Sequence, residues 1–158
     1  MPSYPSSPIK KEVSKSVAPN FQPSGLLSQK NSLRFSLPAD SCEAGGWRVF
    51  EFPETSESRT WKLEGKSAWL WAKDRSLSGT EEIGVIHADH PSMSRQHCVL
   101  VFRLKSNEPT PYILDLSTNG VYLNGERSLA GRMVELRNKD VLRFGKSKRD
   151  WVLVKDSD

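Results

Sequence analysis

Cysteine is scarce in this chain: of 158 residues, only Cys42 and Cys98 carry a thiol. Two thiols cannot build the disulfide framework of a small secreted scaffold. They are expected to be reduced, as in an intracellular protein, with a Cys42–Cys98 bridge as the alternative. Long apolar runs are missing too. No stretch approaches the roughly 18 apolar residues that span a bilayer. The opening MPSYPSSPIKKEV lacks the apolar core of a secretory signal, and there is no Asn-x-Ser/Thr acceptor. Charge of one sign is not concentrated either. The net charge is +4 and the pI about 9.1, with basic residues interleaved among acids. A nucleic-acid groove calls for a dense basic stripe with exposed aromatics. Finally, no segment keeps a 3.6-residue apolar period for three turns, which argues against a helical fold.

What remains is a polar extension followed by a β-type domain, in keeping with 36% hydrophobic residues and a mean hydropathy of −0.56. Residues 1–46 are rich in proline and serine and carry almost no periodic apolar pattern. Such a composition cannot bury enough surface to offset chain entropy, so a disordered tail is expected. One island interrupts it, Pro19-Asn20-Phe21-Gln22-Pro23-Ser24-Gly25-Leu26-Leu27, with an aromatic and a Leu pair around a turn. It reads either as a short docking motif or as a segment that tucks against its own domain. Ile9-Lys10-Lys11-Glu12 and Ser7-Pro8 fit short modification patterns that also arise by chance.

From 47 to 158 the chain reads as one all-β domain of ten or eleven short strands. Trp47–Phe52 alternates as W-R-V-F-E-F. Then follow Trp61–Leu63, Ala68–Ala72, Gly84–Ala88, Cys98–Leu104, Tyr112–Leu116, Val121–Leu123, Met133–Leu136, Val141–Phe144 and Trp151–Lys155. Asn124-Gly125 is a strong hairpin signal, because both central residues of a type I′ turn need positive φ. Regularly spaced strands with turn chemistry between them predict a sandwich that presents function in its loops.

Ser94–Gly125 concentrates the chemistry. Ser94-Arg95-Gln96-His97 precedes the strand Cys98–Leu104, and Ser117-Thr118-Asn119-Gly120 follows Tyr112–Leu116. Antiparallel pairing of these strands puts both polar loops at one sheet edge. That edge gathers two hydroxyls, a guanidinium, an imidazole, a carboxamide and turn N–H groups, all suited to binding an anion or a peptide backbone.

Three rival readings are weaker. A Ser94–His97–Asp115 triad lacks a strained nucleophile turn, and a triad is defined by geometry rather than composition. A zinc site from His87, His90, His97 and Cys98 matches no paired template, and strand alternation would point His97 and Cys98 to opposite faces. RNA stacking would need exposed tryptophans, yet Trp47, Trp61, Trp69, Trp71 and Trp151 all lie in expected strands. No enzyme activity, metal or cofactor is expected.

Together, Ser94-Arg95-x-His97, Asp115-Leu116-Ser117-Thr118-Asn119-Gly120 and Leu123-Asn124-Gly125 resemble the forkhead-associated (FHA) domain pattern over about residues 47–155. The resemblance implies an FHA-type eleven-stranded β-sandwich whose loops recognise phosphothreonine peptides. Carried over to this chain, Ser94 and Thr118 would donate hydroxyls to the phosphate. Arg95 would add charge or a backbone donor, and Asn119 would hold the peptide main chain just past the phosphorylated residue. His97 would be structural, with Gly120, Asn124 and Gly125 as turn devices. Two departures stand out. Lys73 replaces the family's arginine at the end of the third strand, keeping the charge but losing the bidentate fork. Val121 replaces a threonine whose hydroxyl usually braces the loop.

PNFQPSGLL, DHPSMSRQHCVLVFRL, PYILDL and VELRNKDVLRFG further resemble one FHA subfamily over about residues 19–155. It comprises fungal pre-mRNA leakage protein and animal Smad nuclear-interacting protein. That resemblance implies a nuclear, non-catalytic subunit of the RES (retention and splicing) complex, acting in pre-mRNA splicing and retention. It implies that Phe21, Pro23, Gly25, Leu26 and Leu27 dock onto a subunit with an RNA-recognition motif (RRM). A third, largely disordered subunit would complete the trimer. The alternative is an RNA-binding or purely structural sandwich with a vestigial phosphopeptide pocket.

Overall fold

The computed structural model describes residues 33–53 and 58–156. The expected docking residues Phe21, Pro23, Gly25, Leu26 and Leu27 lie outside these, as do the two short modification patterns. The described residues form eleven strands in two sheets. They are β1 (Trp47–Phe52), β2 (Arg59–Lys62), β3 (Ala68–Ala72), β4 (Ile83–His87), β5 (Gln96–Lys105), β6 (Glu108–Asp115), β7 (Val121–Leu123), β8 (Glu126–Arg127), β9 (Met133–Glu135), β10 (Val141–Phe144) and β11 (Asp150–Lys155). One sheet runs β2-β1-β11-β10-β7-β8, the other β4-β3-β5-β6-β9. This is the expected eleven-stranded sandwich. β8, only two residues long, is the strand the pattern could not show.

Alternation along the strands fills the space between the sheets. Trp71 from one sheet meets Phe144 and Trp151 from the other, with Phe102 in the same core cluster, all at most 1% exposed. The Trp71 ring centroid lies 5.0 Å from that of Phe144 and 5.6 Å from that of Trp151. Trp69 shares the inner face with Trp71, packed against the same cluster. Each buried ring is worth roughly 1.5–3 kcal/mol of transfer free energy, which makes this cluster the main stabiliser of the sandwich.

The outer face of the five-stranded sheet is also covered. Leu70, Val99 and Val101 point outward between the inner residues of β3 and β5. Leu33, Phe35, Leu37 and Leu77 pack over them. The compact unit therefore begins at Leu33, whereas the sequence placed its start at Trp47. The reason is physical: β5 is buried on both faces, and its second face needs an apolar cover that short polar loops cannot supply. Arg103 pins this segment through Asp40, at 2.8 Å and 3.0 Å.

The β5–β6 turn is tighter than the Lys105–Thr110 loop expected. Ser106 and Asn107 take φ of 52° and 64°, a two-residue hairpin turn with both central residues left-handed. The strands consequently extend to Lys105 and Glu108. Pro109 and Pro111 fit inside β6 because their missing N–H groups fall on the side facing away from β5. The Pro111 carbonyl, on that same side, accepts from Leu136 N–H at 2.9 Å.

Candidate functional site: the loop edge of the sandwich

β5 and β6 pair antiparallel from Lys105↔Glu108 to Cys98↔Asp115. The Ser94 loop and the Thr118 loop therefore meet at one edge, as the pairing argument predicts. The ends of β3 and β10 arrive there too, because Ala72 pairs with Gln96 and Phe144 with Val121.

His97 locks the two loops together. Its Nδ1 accepts from Ser94 N–H at 3.1 Å, and its Nε2 lies 2.9 Å from the Gly120 carbonyl. One nitrogen accepts and the other donates, so the ring is the neutral Nε2–H tautomer. The ring is 0% exposed and lies 5.3 Å from the Phe144 centroid. Burial lowers its pKa below 6.5, against the opposing pull of the Gly120 carbonyl and the Asp115 charge.

Its orientation differs from simple alternation. The β3–β5 register jumps from Trp71↔Cys98 to Ala72↔Gln96. His97 is thus the extra residue of a bulge, and both His97 and Cys98 turn inward instead of to opposite faces. Even so, among the described residues no cluster of His, Cys, Asp and Glu could hold a metal ion. The Cys42 and Cys98 thiols are free, and burial raises the pKa of both.

The second loop is an Asx-type turn. Asp115 Oδ1 accepts from Ser117 N–H at 2.8 Å and from Ser117 Oγ–H at 2.5 Å. Ser117 Oγ accepts in turn from Gly120 N–H at 2.8 Å. Both His97 nitrogens are taken by the backbone of Ser94 and Gly120, so neither bonds Asp115 and no Ser94–His97–Asp115 relay exists. Gly120 closes the turn at φ +96°, where an added Cβ would lie 2.7 Å from Arg127 Nε. Val121 is fully buried, and Arg127 holds the loop from outside through the Thr118 carbonyl at 3.3 Å.

Ser94 Oγ accepts from Thr118 N–H at 3.1 Å. Both side chains sit at the rim, Ser94 half-buried and Thr118 exposed. Asn119 is exposed as well, with its Nδ2 donating to the Ser92 carbonyl at 2.8 Å. Lys73 N–H donates to the Arg95 carbonyl at 3.0 Å, which places Lys73 beside the same loop. Ser94, Thr118, Asn119, Lys73 and Arg95 are thus brought to one edge. The Arg95 guanidinium is committed sideways, to Asp74 Oδ2 at 2.7 Å, although 71% of its side chain stays exposed. The Ser76 hydroxyl, then Arg95 and the Ser76 N–H, hold the Asp74 pKa at about 2, so this carboxylate is ionised at any physiological pH.

Asn124 and Gly125 stand apart from the loops. They turn β7 into β8 with φ of 51° and 91°, and Asn124 Oδ1 accepts from Val141 N–H at 2.9 Å. Sequence reasoning assigned no role to Asp74, Ser92, Ser117 or Arg127. Asp115-x-Ser117 and Asp74-x-Ser76 are recognisable Asx signals. Ser92 and Arg127 act through long-range contacts that no local pattern encodes.

A β-sandwich with this pair of braced hydroxyl loops at one end is the architecture of a domain that binds through its loops. Residues 79–145 match the family model described as FHA domain, so the chain carries an FHA domain. Over 93% of its length it is 34% identical to mouse Smad nuclear-interacting protein 1, of which it spans 41%. It is 29% identical to pre-mRNA leakage protein 1 of Saccharomyces cerevisiae, over 85% of this chain and 82% of that protein. Among solved structures, the yeast Pml1 splicing factor superposes with a TM-score of 0.67 at 20% identity, covering 80% of this chain and 100% of that one.

Proposed function

We propose that this protein is a nuclear, non-catalytic adaptor of the RES complex, acting in pre-mRNA splicing and retention. Its loop edge binds a phosphothreonine peptide. Its tail docks through Phe21, Pro23, Gly25, Leu26 and Leu27 on an RRM-containing subunit, in a trimer completed by a disordered third subunit. The observation that carries the binding half is the Ser94–Thr118 contact across two loops braced by His97.

A phosphoryl group brings close to two negative charges and three strong acceptor oxygens. The edge answers with two hydroxyls, the Lys73 ammonium and the Arg95 position. Because His97, Ser117 and Arg127 already fix the loops, the ligand does not pay to order them. Asn119 then orients the peptide main chain. The complex itself is supported by similarity to proteins named for pre-mRNA leakage and splicing. RNA stacking on the tryptophans loses support, since Trp71 and Trp151 are buried in the core.

Tail docking is tested with the full chain carrying Phe21→Ala/Leu26→Ala/Leu27→Ala against the RRM-containing subunit. The expected result is loss of binding by at least about tenfold, since two or three apolar anchors usually dominate such interfaces. Unchanged affinity would refute the docking half.

A further inference from the structure

The segment ahead of β1 does more than cover a sheet. Leu33, Phe35 and Leu37 are half-buried and alternate with the exposed Arg34 and Ser36, the period of an extended run. The three apolar side chains pack over Leu70, Val99 and Val101 on the outer face of the five-stranded sheet. That packing holds Arg34 beside both loops of the edge.

Arg34 N–H donates to Gln96 Oε1 at 2.7 Å, and its Nη1 donates to the Leu116 carbonyl at 3.2 Å. Gln96 belongs to the Ser94–His97 loop, and Leu116 joins Asp115 to the Ser117–Gly120 loop. The two loops are therefore bridged twice. His97 links Ser94 to Gly120 from the buried side. Arg34 links Gln96 to Leu116 from the outer side. Gln96 is itself a buried polar side chain, and hydrogen bonds shielded from water hold their geometry firmly.

We infer that Arg34 is a positioning residue for the loop edge, and that Leu33–Leu37 is an outer clamp on both loops. This rests on the phosphothreonine reading above. The clamp lies ahead of residues 79–145, which match the FHA model. With the loops held from both sides, the Ser94 and Thr118 hydroxyls need little ordering when a ligand arrives. The competing role is a direct contact between the Arg34 cation and the phosphate. Salt separates the two, because it screens an exposed charge pair far more than it disturbs a backbone hydrogen bond.

The test uses the full chain, anisotropy titrations with a phosphothreonine peptide, and hydrogen exchange of the free protein. Arg34→Ala is expected to weaken binding about threefold to tenfold, the worth of one hydrogen bond. The loss should persist from about 50 to about 300 mM salt, and exchange at the Leu116 and Ser117 amides should quicken. Gln96→Ala cuts the other link and should weaken binding similarly, with faster exchange at the Ser94 amide. Arg34→Lys keeps a donor and should restore most of the affinity. A loss that fades with salt while exchange is unchanged would make Arg34 a phosphate contact and overturn the clamp. A lower urea midpoint with affinity and exchange unmoved would leave the segment as a packing cover only. If the wild type shows no preference for phosphothreonine over threonine, that reading falls by itself. Exchange in Arg34→Ala then decides the clamp alone: faster upholds it, unchanged refutes it.

Discussion

Thr118 N–H donates to Ser94 Oγ across 3.1 Å, joining two loops that lie 24 residues apart in sequence. Ser94 Oγ accepts inside the protein, which leaves its hydroxyl proton available to a ligand acceptor. In the proposed function Ser94 is both a phosphate donor and the clamp for the Thr118 loop. Ser94→Ala should weaken phosphothreonine peptide binding by about tenfold or more, the worth of a hydrogen bond to a charged group. It should also speed hydrogen exchange at the Thr118 amide without ligand. An unchanged Thr118 exchange rate would show that the contact does not brace the loop.

His97 gives the free protein a pH dependence of known sign. Burial holds its folded pKa below the ordinary 6.5, so the unfolded chain takes up the proton first as pH falls. The stability contribution is intact above pH 6.5 and drains from 6.5 toward the folded value, with a limiting slope of about 1.4 kcal/mol per pH unit. Protonation would also turn Nδ1 into a donor facing Ser94 N–H. His97→Gln should cost about 1–3 kcal/mol at pH 7.5 and flatten the urea-stability profile below pH 6.5. Parallel profiles for the two proteins would contradict this role.

The visible parts of the fold were those with local signatures. Trp47–Phe52, Ala68–Ala72, Val121–Leu123 and Val141–Phe144 could be read directly, because alternation and turn residues bound them on both sides. The edge location of Ser94 and Thr118 followed from one assumption, that β5 pairs with β6. The inward turn of His97 was hidden, since a bulge depends on the register with β3 and not on β5 itself. The Leu33–Leu37 cover was hidden for a related reason: three apolar residues in a polar segment acquire meaning only beside the outer face of β5.

Gly120 and Gly125 both have positive φ, +96° and +91°, but only Gly120 is crowded. Gly125→Ala meets nothing within 4 Å and pays backbone strain alone, about 1 kcal/mol. Gly120→Ala adds a clash with Arg127, which must release the Thr118 carbonyl. Urea midpoints should therefore fall further for Gly120→Ala, and its phosphopeptide affinity should drop while that of Gly125→Ala holds. Equal behaviour would refute the Arg127 brace.

Lys73 N–H is bonded to the Arg95 carbonyl at the loop edge, at a position where the FHA resemblance implies an arginine. A guanidinium there offers a planar fork to two phosphate oxygens, whereas an ammonium offers a point charge. Lys73→Arg should tighten phosphothreonine binding about threefold to tenfold, and Lys73→Met should weaken it similarly. No change in either variant, by calorimetric titration, would place Lys73 outside the binding site.

The most direct measurement is a calorimetric titration of matched phosphothreonine and threonine peptides. Both are added to the wild-type chain and to Ser94→Ala/Thr118→Ala. The expected result is a preference for the phosphorylated peptide of at least about a hundredfold in the wild type, nearly abolished in the double variant. Equal affinity for both peptides in both proteins would contradict the account and leave the loop edge as scaffold only.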